Sequence, residues 1–262
     1  MTRNVRLLGF DFADLTAAEA AETIAARPEQ APFRYVVTPN ADHLVRLSRD
    51  PELAAIYLGA WLTLLDSRVV AGIALVLGLD VPKTAPGSDL TERLLDRCVP
   101  QNERITIVGM RPAWLPALVA RRGLAQPCHF DPPMGFDRDP VAFASVVSFV
   151  LAHPARFIFL AVGSPRQERL AAALAATGQA TGTGLCVGAS LDFLAGAERR
   201  APAWIQRAGL EWAFRLATHP RRLARRYLID SPRVVPLLLR QRRAARPATS
   251  VPSVPRPDDR EP

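Results

Sequence analysis

Thr38, Asn40 and Asp66 are the residues whose types and positions most directly permit chemistry. Asp66 closes the apolar run Leu62–Leu65 and precedes a helical pattern starting near Val69, so it can act either as a helix cap or as a general base in a partly buried cleft. Thr38-Pro39-Asn40 follows another apolar run, and Asn40 can likewise be an N-cap or a substrate contact. In an open parallel sheet, ligands bind beyond the carboxyl ends of the strands. Two polar strand ends converging on one crevice favour the catalytic reading over either residue alone.

The same rule selects Gly109, Gly163-Ser164-Pro165 and Gly188. The run Gly163-Ser164-Pro165-Arg166-Gln167-Glu168 joins a strand to a helix. Its glycine admits close backbone approach, and the following helix N-terminus attracts anions. It is neither a Walker A loop nor a GxGxxG fingerprint, so ATP and NAD are not indicated and no cofactor is expected. Thr181-Gly182-Thr183-Gly184 reads equally well as tight turn chemistry. Asp192 can cap, pair with an arginine, or accept hydrogen bonds from a ribose or base.

Arg215, Arg222 and Arg225 fall at helix-compatible intervals, although Pro220 favours a break between them. From Arg199 to Arg243 there are twelve arginines against only Glu211 and Asp230. A solvated charged face is one explanation. Trp204, Trp212, Phe214, Leu216 and Tyr227 interleave with the arginines, however, and guanidinium groups neutralise a diphosphate through bidentate hydrogen bonds. The net charge of +8 attracts phosphates in nucleotides, nucleic acids or anionic lipid surfaces. Since Lys83 is the single lysine, the bias to arginine is compositional; the scarcity of acids in this segment is not.

The elements that position these residues alternate between β-rich runs and helical patterns, which predicts an α/β, Rossmann-like, mostly parallel sheet with crossover helices. Strands are expected near Val5–Phe10, Arg34–Thr38, Leu62–Leu65, Arg104–Gly109, Phe157–Val162 and Leu185–Gly188. Helices are expected from a capping box at Thr16 and Glu19, then over Ala41–Ser48, Val69–Leu77, Ser88–Arg97, Ala113–Arg122, Pro140–Ala152 and Arg166–Ala176. After Gly196 the strand signals stop, and Trp204–Thr218, Arg221–Leu228 and Val234–Arg243 read as Arg-rich helices. The division is thus a core over 1–197, a helical appendage over 198–243 and a disordered tail over 244–262.

Cys98, Cys128 and Cys186 match no metal or redox spacing and read as reduced thiols of a cytosolic protein. No signal peptide is apparent, and the longest apolar run, Val69–Leu79, is too short to span a bilayer, so membrane contact is expected to be peripheral. Asp137 and Asp139 have the spacing of a metal-binding DxD pair, but no strand precedes them, and no metal site is assigned.

Together, Thr38-Pro39-Asn40, Asp66, the Gly163–Glu168 run, the Gly184–Gly196 stretch, Arg200-Ala201-Pro202 and Gly209-Leu210-Glu211-Trp212 with Arg215 resemble the WecG/TagA/CpsF glycosyltransferases (glycosyltransferase family 26). The likeness runs in order from about Val5 to Leu239. It implies an inverting, metal-independent hexosyl transfer from a UDP-sugar to a polyprenyl-diphosphate-linked sugar, in bacterial surface polysaccharide synthesis. It also implies that the C-terminal helices close over the site and dock on the anionic inner face of the cytoplasmic membrane, and that a homo-oligomer can form. By the same likeness Asp66 is the general base, Thr38 and Asn40 position the sugars, and Gly163, Gln167 and Asp192 line the nucleotide-sugar pocket. Arg215, Arg222 and Arg225 hold the diphosphate, and Lys83 contacts phosphate or acceptor. The family usually has Gly where Ser67 stands and Arg where Lys83 stands. Ser67 favours the alternative of a non-catalytic nucleotide-binding scaffold of a polysaccharide operon. A nucleic-acid-binding module rests on charge alone and lacks a reader motif, so no nucleic acid partner is expected.

Overall fold

A computed structural model describes residues 3–125, 127–197, 201–202, 204–205 and 210–245. The chain opens with a hairpin, β1 (Asn4–Leu7) and β2 (Phe10–Ala13), paired antiparallel as its own two-stranded sheet. This corrects the single strand expected over Val5–Phe10. Leu8 and Gly9 both have positive φ, 51° and 86°, which makes the two-residue turn whose twist suits a hairpin.

The main sheet contains β3 (Arg34–Val37), β4 (Leu62–Thr63), β5 (Thr106–Gly109), β6 (Cys128–Phe130), β7 (Phe157–Ala161) and β8 (Thr183–Cys186). Their spatial order is β4-β3-β8-β7-β5-β6, and every pairing is parallel. Because the strands are parallel, all their carboxyl ends lie along one edge.

Both faces of the sheet are covered. Tyr35, Val37, Ile158, Leu160 and Cys186 point into one hydrophobic cluster, and Val36, Phe157, Phe159 and Leu185 into the other. Alternation with period two on a sheet buried on both faces explains why these strands read as continuous apolar runs. The first cluster includes buried residues of α2 (Ala41–Leu47), α3 (Pro51–Leu58), α4 (Arg68–Val76), α7 (Pro140–Ala152) and α8 (Arg166–Ala176). The second includes those of α1 (Ala17–Ala25), α5 (Gly87–Arg93), α6 (Leu115–Arg122) and α9 (Ser190–Ala195). Helix α1 starts in the expected capping box, with Thr16 and Glu19 exchanging both hydrogen bonds. Helix α5 continues as a wider turn over Leu94–Cys98. Helices α3 and α9 and strand β6 were not expected from the sequence.

The C-terminal segment contains α10 (Glu211–Thr218), α11 (Pro220–Arg225) and α12 (Val234–Ala245). The expected helix Trp204–Thr218 falls partly, and Arg200 wholly, outside the described residues. Helix α12 is not a detached appendage: Val234 and Leu238 are buried in the first core cluster. Near its end, Gln241 Oε1 accepts the Leu8 N–H at 2.7 Å, fastening α12 to the hairpin turn. Helix α12 also runs through Ala244 and Ala245, where the tail was expected to begin; residues 246–262 lie outside the described residues. No described helix is long and apolar enough to cross a membrane.

Candidate active site

Four of the five strand ends marked out by sequence belong to the neighbouring strands β4, β3, β8 and β7, and the fifth, Gly109, closes β5 beside them. At about 4.8 Å per strand, the loops leaving the first four span a crevice roughly 15 Å wide. Asp66 leaves β4 and is tied to the neighbouring loop, its N–H donating to Pro39 O at 3.2 Å. Gly87, the first residue of α5, donates its N–H to Asp66 Oδ1 at 2.8 Å. A Cβ on Gly87 would lie 2.8 Å from Thr38 Oγ1. The carboxylate is thus held at, and the Thr38 hydroxyl lies close to, the same backbone point from two neighbouring strand ends.

Ser67 explains why Asp66 is available for this role. The Ser67 hydroxyl accepts the Val70 N–H at 3.2 Å as the N-cap of α4, so capping does not fall to Asp66. Asn40 does act as a cap: its Oδ1 accepts the His43 N–H at 3.3 Å at the start of α2.

On the other side of the crevice, Gly163 follows β7 with φ of +78°. Gln167 is 3% exposed, donating from Nε2 to Glu168 Oε1 at 3.0 Å and accepting the Gly188 N–H through Oε1 at 2.9 Å. It thus bridges the ends of β7 and β8. Asp192 lies half-buried on α9, its Oδ1 shielded from solvent. Arg215 of α10 reaches the same helix, its guanidinium 5.0 Å from the centre of the adjacent Phe193 ring. The Arg215 Nε is also shielded from solvent and has no protein acceptor among the described residues. A guanidinium so placed favours an anionic partner.

The chain matches the model of the glycosyl transferase WecG/TagA/CpsF family over residues 5–248. It belongs to this family. A relative in Bacillus spizizenii, named N-acetylglucosaminyldiphosphoundecaprenol N-acetyl-beta-D-mannosaminyltransferase, is 26% identical over 217 residues, covering 80% of each chain. Membership makes the protein a glycosyltransferase, and the parallel α/β core agrees with the architecture anticipated from sequence.

Within this glycosyltransferase, Thr38, Asn40 and Asp66 gather at one end of the crevice, and Gly163, Gln167 and Gly188 at the other. Arg215 lies over Phe193, the residue that follows Asp192 on α9. Arg225 stands apart, 85% exposed, with its Nε 3.7 Å from Asp230. The Arg222 side chain lies outside the described residues. Lys83 is turned to the scaffold, its ammonium 2.9 Å from Glu19 Oε1. Glu19 is held down at about 2, first by the Thr16 backbone N–H and then by the Lys83 ammonium.

Several residues at the site escaped the sequence reading. Gly87 carried a signal in Pro86-Gly87 ahead of a helical pattern. Met110, buried just past β5, has a φ of 66° that non-glycine residues rarely adopt. Tyr57 and Glu168 lie beneath the loops and make a buried hydrogen bond of 3.0 Å. Three of the glycines do other work. A Cβ would lie 2.0 Å from Ala155 O at Gly182 and 2.5 Å from Phe33 Cζ at Gly184, both at the amino end of β8. At Gly109 it would meet the Ala161 backbone at 2.7 Å, so that glycine admits close packing of β5 on β7. Asp139 caps α7, accepting from Val141 N at 2.9 Å.

Proposed function

We propose that this glycosyltransferase moves a hexose, of N-acetylmannosamine type or related to it, from a UDP-sugar to a polyprenyl-diphosphate-linked sugar, with inversion and without a metal ion. The observation that carries the proposal is the Asp66 carboxylate, held by the Gly87 N–H at 2.8 Å beside the Thr38 hydroxyl. Inversion requires one base on the acceptor side. The acceptor hydroxyl gives its proton to Asp66 Oδ2 while its oxygen bonds to the anomeric carbon. The bond from that carbon to the diphosphate breaks, its electron pair passing to the UDP oxygen. Thr38 and Asn40 orient the sugars, and Gly163 and Gln167 frame the donor pocket with Asp192 near the nucleoside.

Charge developing on the departing UDP needs cations, and fixed guanidinium groups do this in place of a metal. Arg215 has its place over Phe193, and Arg222 and Arg225 follow it in the chain. The acceptor class is supported by the name of the Bacillus spizizenii relative and by the arginines and exposed Trp204, Trp212, Leu228 and Ile229 of the C-terminal segment. Such a surface suits peripheral docking on the anionic inner face of the cytoplasmic membrane. The functional units are then a sheet core near 1–197 and a capping segment near 198–243 whose last helix is shared with the core.

The test incubates purified protein with a panel of UDP-sugars and a short-chain polyprenyl-diphosphate sugar, with and without EDTA. Turnover with a UDP-hexose, unchanged by EDTA and giving the inverted anomer by NMR, is the expected outcome. Absence of turnover together with absence of UDP binding by calorimetry overturns the reading. Membrane docking is measured on anionic liposomes with Trp212, Leu228 and Ile229 changed to Ala, because truncation after Ala197 would also remove Leu238 from the core. Undiminished binding by that variant counts against docking through this segment.

A further inference from the structure

Beneath the crevice lies a buried carboxylate that the reaction does not use. Glu168 is 1% exposed, its Oε2 is buried without a hydrogen-bond partner among the described residues, and both of its donors converge on Oε1. Its Oε1 accepts from the Tyr57 hydroxyl and from Gln167 Nε2, each at 3.0 Å. The phenol does more than pair with Glu168. It lies 3.3 Å from His43 Nδ1, and the Ser164 hydroxyl, shielded from solvent, lies beside it. His43 in turn donates its N–H to Asn40 at the end of β3, and Gln167 accepts the N–H of Gly188 at the end of β8. Ser164 belongs to the loop that leaves β7. One buried pair therefore reaches three strand-end loops of the crevice, through residues 111 positions apart in the chain.

We propose that Glu168 and Tyr57 are positioning residues whose buried hydrogen bond holds the strand-end loops at Asn40, Ser164 and Gly188 in the arrangement that binds the donor. The chemistry dictates how Glu168 acts. Its Oε1 accepts from Gln167 Nε2, which turns the amide with Nε2 inward and its carbonyl toward Gly188. Reversing that amide would set an NH2 group against the Gly188 N–H. Burial, and then the charge of Glu168, push the Tyr57 phenol far above its ordinary value, so it remains an O–H donor. Gln167, with its carbonyl and one N–H engaged inside the protein, acts on the ligand through Gly188.

Two variants test this: Glu168→Gln, which keeps shape and exchanges a carboxyl oxygen for an NH2 group, and Tyr57→Phe, which keeps the ring and loses the donor. Amide hydrogen exchange is followed by NMR without ligand, alongside donor KM and kcat. Exchange at Gly188 is expected to rise roughly tenfold in Glu168→Gln, the size of one net hydrogen bond, with strand amides such as those of Val37 and Leu160 unchanged. Donor KM is expected to rise by a similar factor while kcat changes less than about threefold. Gln167→Ala combined with Glu168→Gln is expected to be no worse than Gln167→Ala alone, since the two act in series. Uniform acceleration across the sheet, or an unchanged Gly188 amide in both variants, overturns the proposal. If Glu168→Gln does not fold, Tyr57→Phe carries the exchange test. The kinetic arm rests on the UDP-sugar reading above. Failure of the wild type to bind UDP would refute that reading, while exchange at Gly188 still decides the role of Glu168.

Discussion

The two sides of the crevice are built by different physics. On the Asp66 side, the groups sit on strand-end loops tied to the core: the carboxylate accepts the Gly87 N–H, the Asp66 N–H donates to Pro39 O, and the Thr38 hydroxyl lies close to the Gly87 backbone. On the arginine side, the groups come from short helices after the last strand, and each has a different setting. Arg215 rests on Phe193, whereas Arg225 projects into solvent near Asp230. The proposed acid–base chemistry demands a fixed proton acceptor, and the Asp66 carboxylate is held by a backbone hydrogen bond. Diphosphate binding demands charge at reach of a ligand, and there the ligand itself can supply the missing acceptors.

The comparison breaks first if Asp66 is replaced. Asp66→Asn retains the acceptor for Gly87 through its side-chain oxygen and loses the base. Its kcat is expected to fall by about 10² to 10⁴, the usual worth of general base catalysis, with UDP affinity by calorimetry changed less than about threefold. Full activity in this variant would remove Asp66 from the chemistry.

Gly87→Ala probes the same side without touching a reactive group. The new Cβ would press on the Thr38 hydroxyl at 2.8 Å, and Thr38 follows directly on a buried strand, with little room to yield. Displacements well under 1 Å at a reacting centre cost on the order of tenfold to a hundredfold, so kcat is expected to fall by about that much. Melting temperature and UDP affinity should change little. If UDP affinity falls instead, Gly87 belongs to the donor pocket and the division into two sides is wrong.

How much of this was legible follows the same division. Thr38, Asp66, Gly163 and Gly188 were found because a parallel sheet puts its strand ends on one edge, and apolar runs reveal such strands. The hairpin was not, because Val5–Phe10 reads as one run and its turn places a leucine at positive φ. Strand β6 is three residues with a central histidine, too short and polar to register. Helix α3 carries its signal only in Asp50-Pro51, a capping residue before a first-turn proline. Glu168 looks like an ordinary charge on a helix. Only its partner Tyr57, brought from a distant helix, makes it a buried hub.

On the arginine side the expected effects are smaller and unequal. Removing Arg215 takes away a half-buried guanidinium whose Nε is shielded from solvent, and charged hydrogen bonds contribute about 1.5–3 kcal/mol. Arg215→Ala should therefore weaken UDP binding by roughly tenfold to a hundredfold. Arg225→Ala should weaken it about threefold or less, because an exposed guanidinium is screened by water and salt. Equal losses for both would mean that the bound state draws Arg225 in as fully as Arg215, and the asymmetry described above would belong to the free protein alone.

The smallest expected effect separates scaffold from site at Lys83. Its ammonium pairs with Glu19, whose carboxyl is held at about 2 by the Thr16 N–H and by Lys83. A carboxyl lowered by folding contributes stability that is fully present above its unfolded value of 4.5 and is lost as pH falls toward 2. Lys83→Met raises the folded value part of the way back. The wild type is then expected to melt slightly higher than Lys83→Met at neutral pH, with the gap closing between about pH 4.5 and 2. The pair is exposed, so the shift should be a degree or two at most. A gap that persists unchanged to pH 2 would mean that Lys83 stabilises by packing and not through Glu19. Calorimetry with UDP on the same variant completes the test. A loss of affinity approaching that of Arg215→Ala would show that the ammonium leaves Glu19 for the diphosphate, moving Lys83 from the fixed side of the crevice to the arginine side.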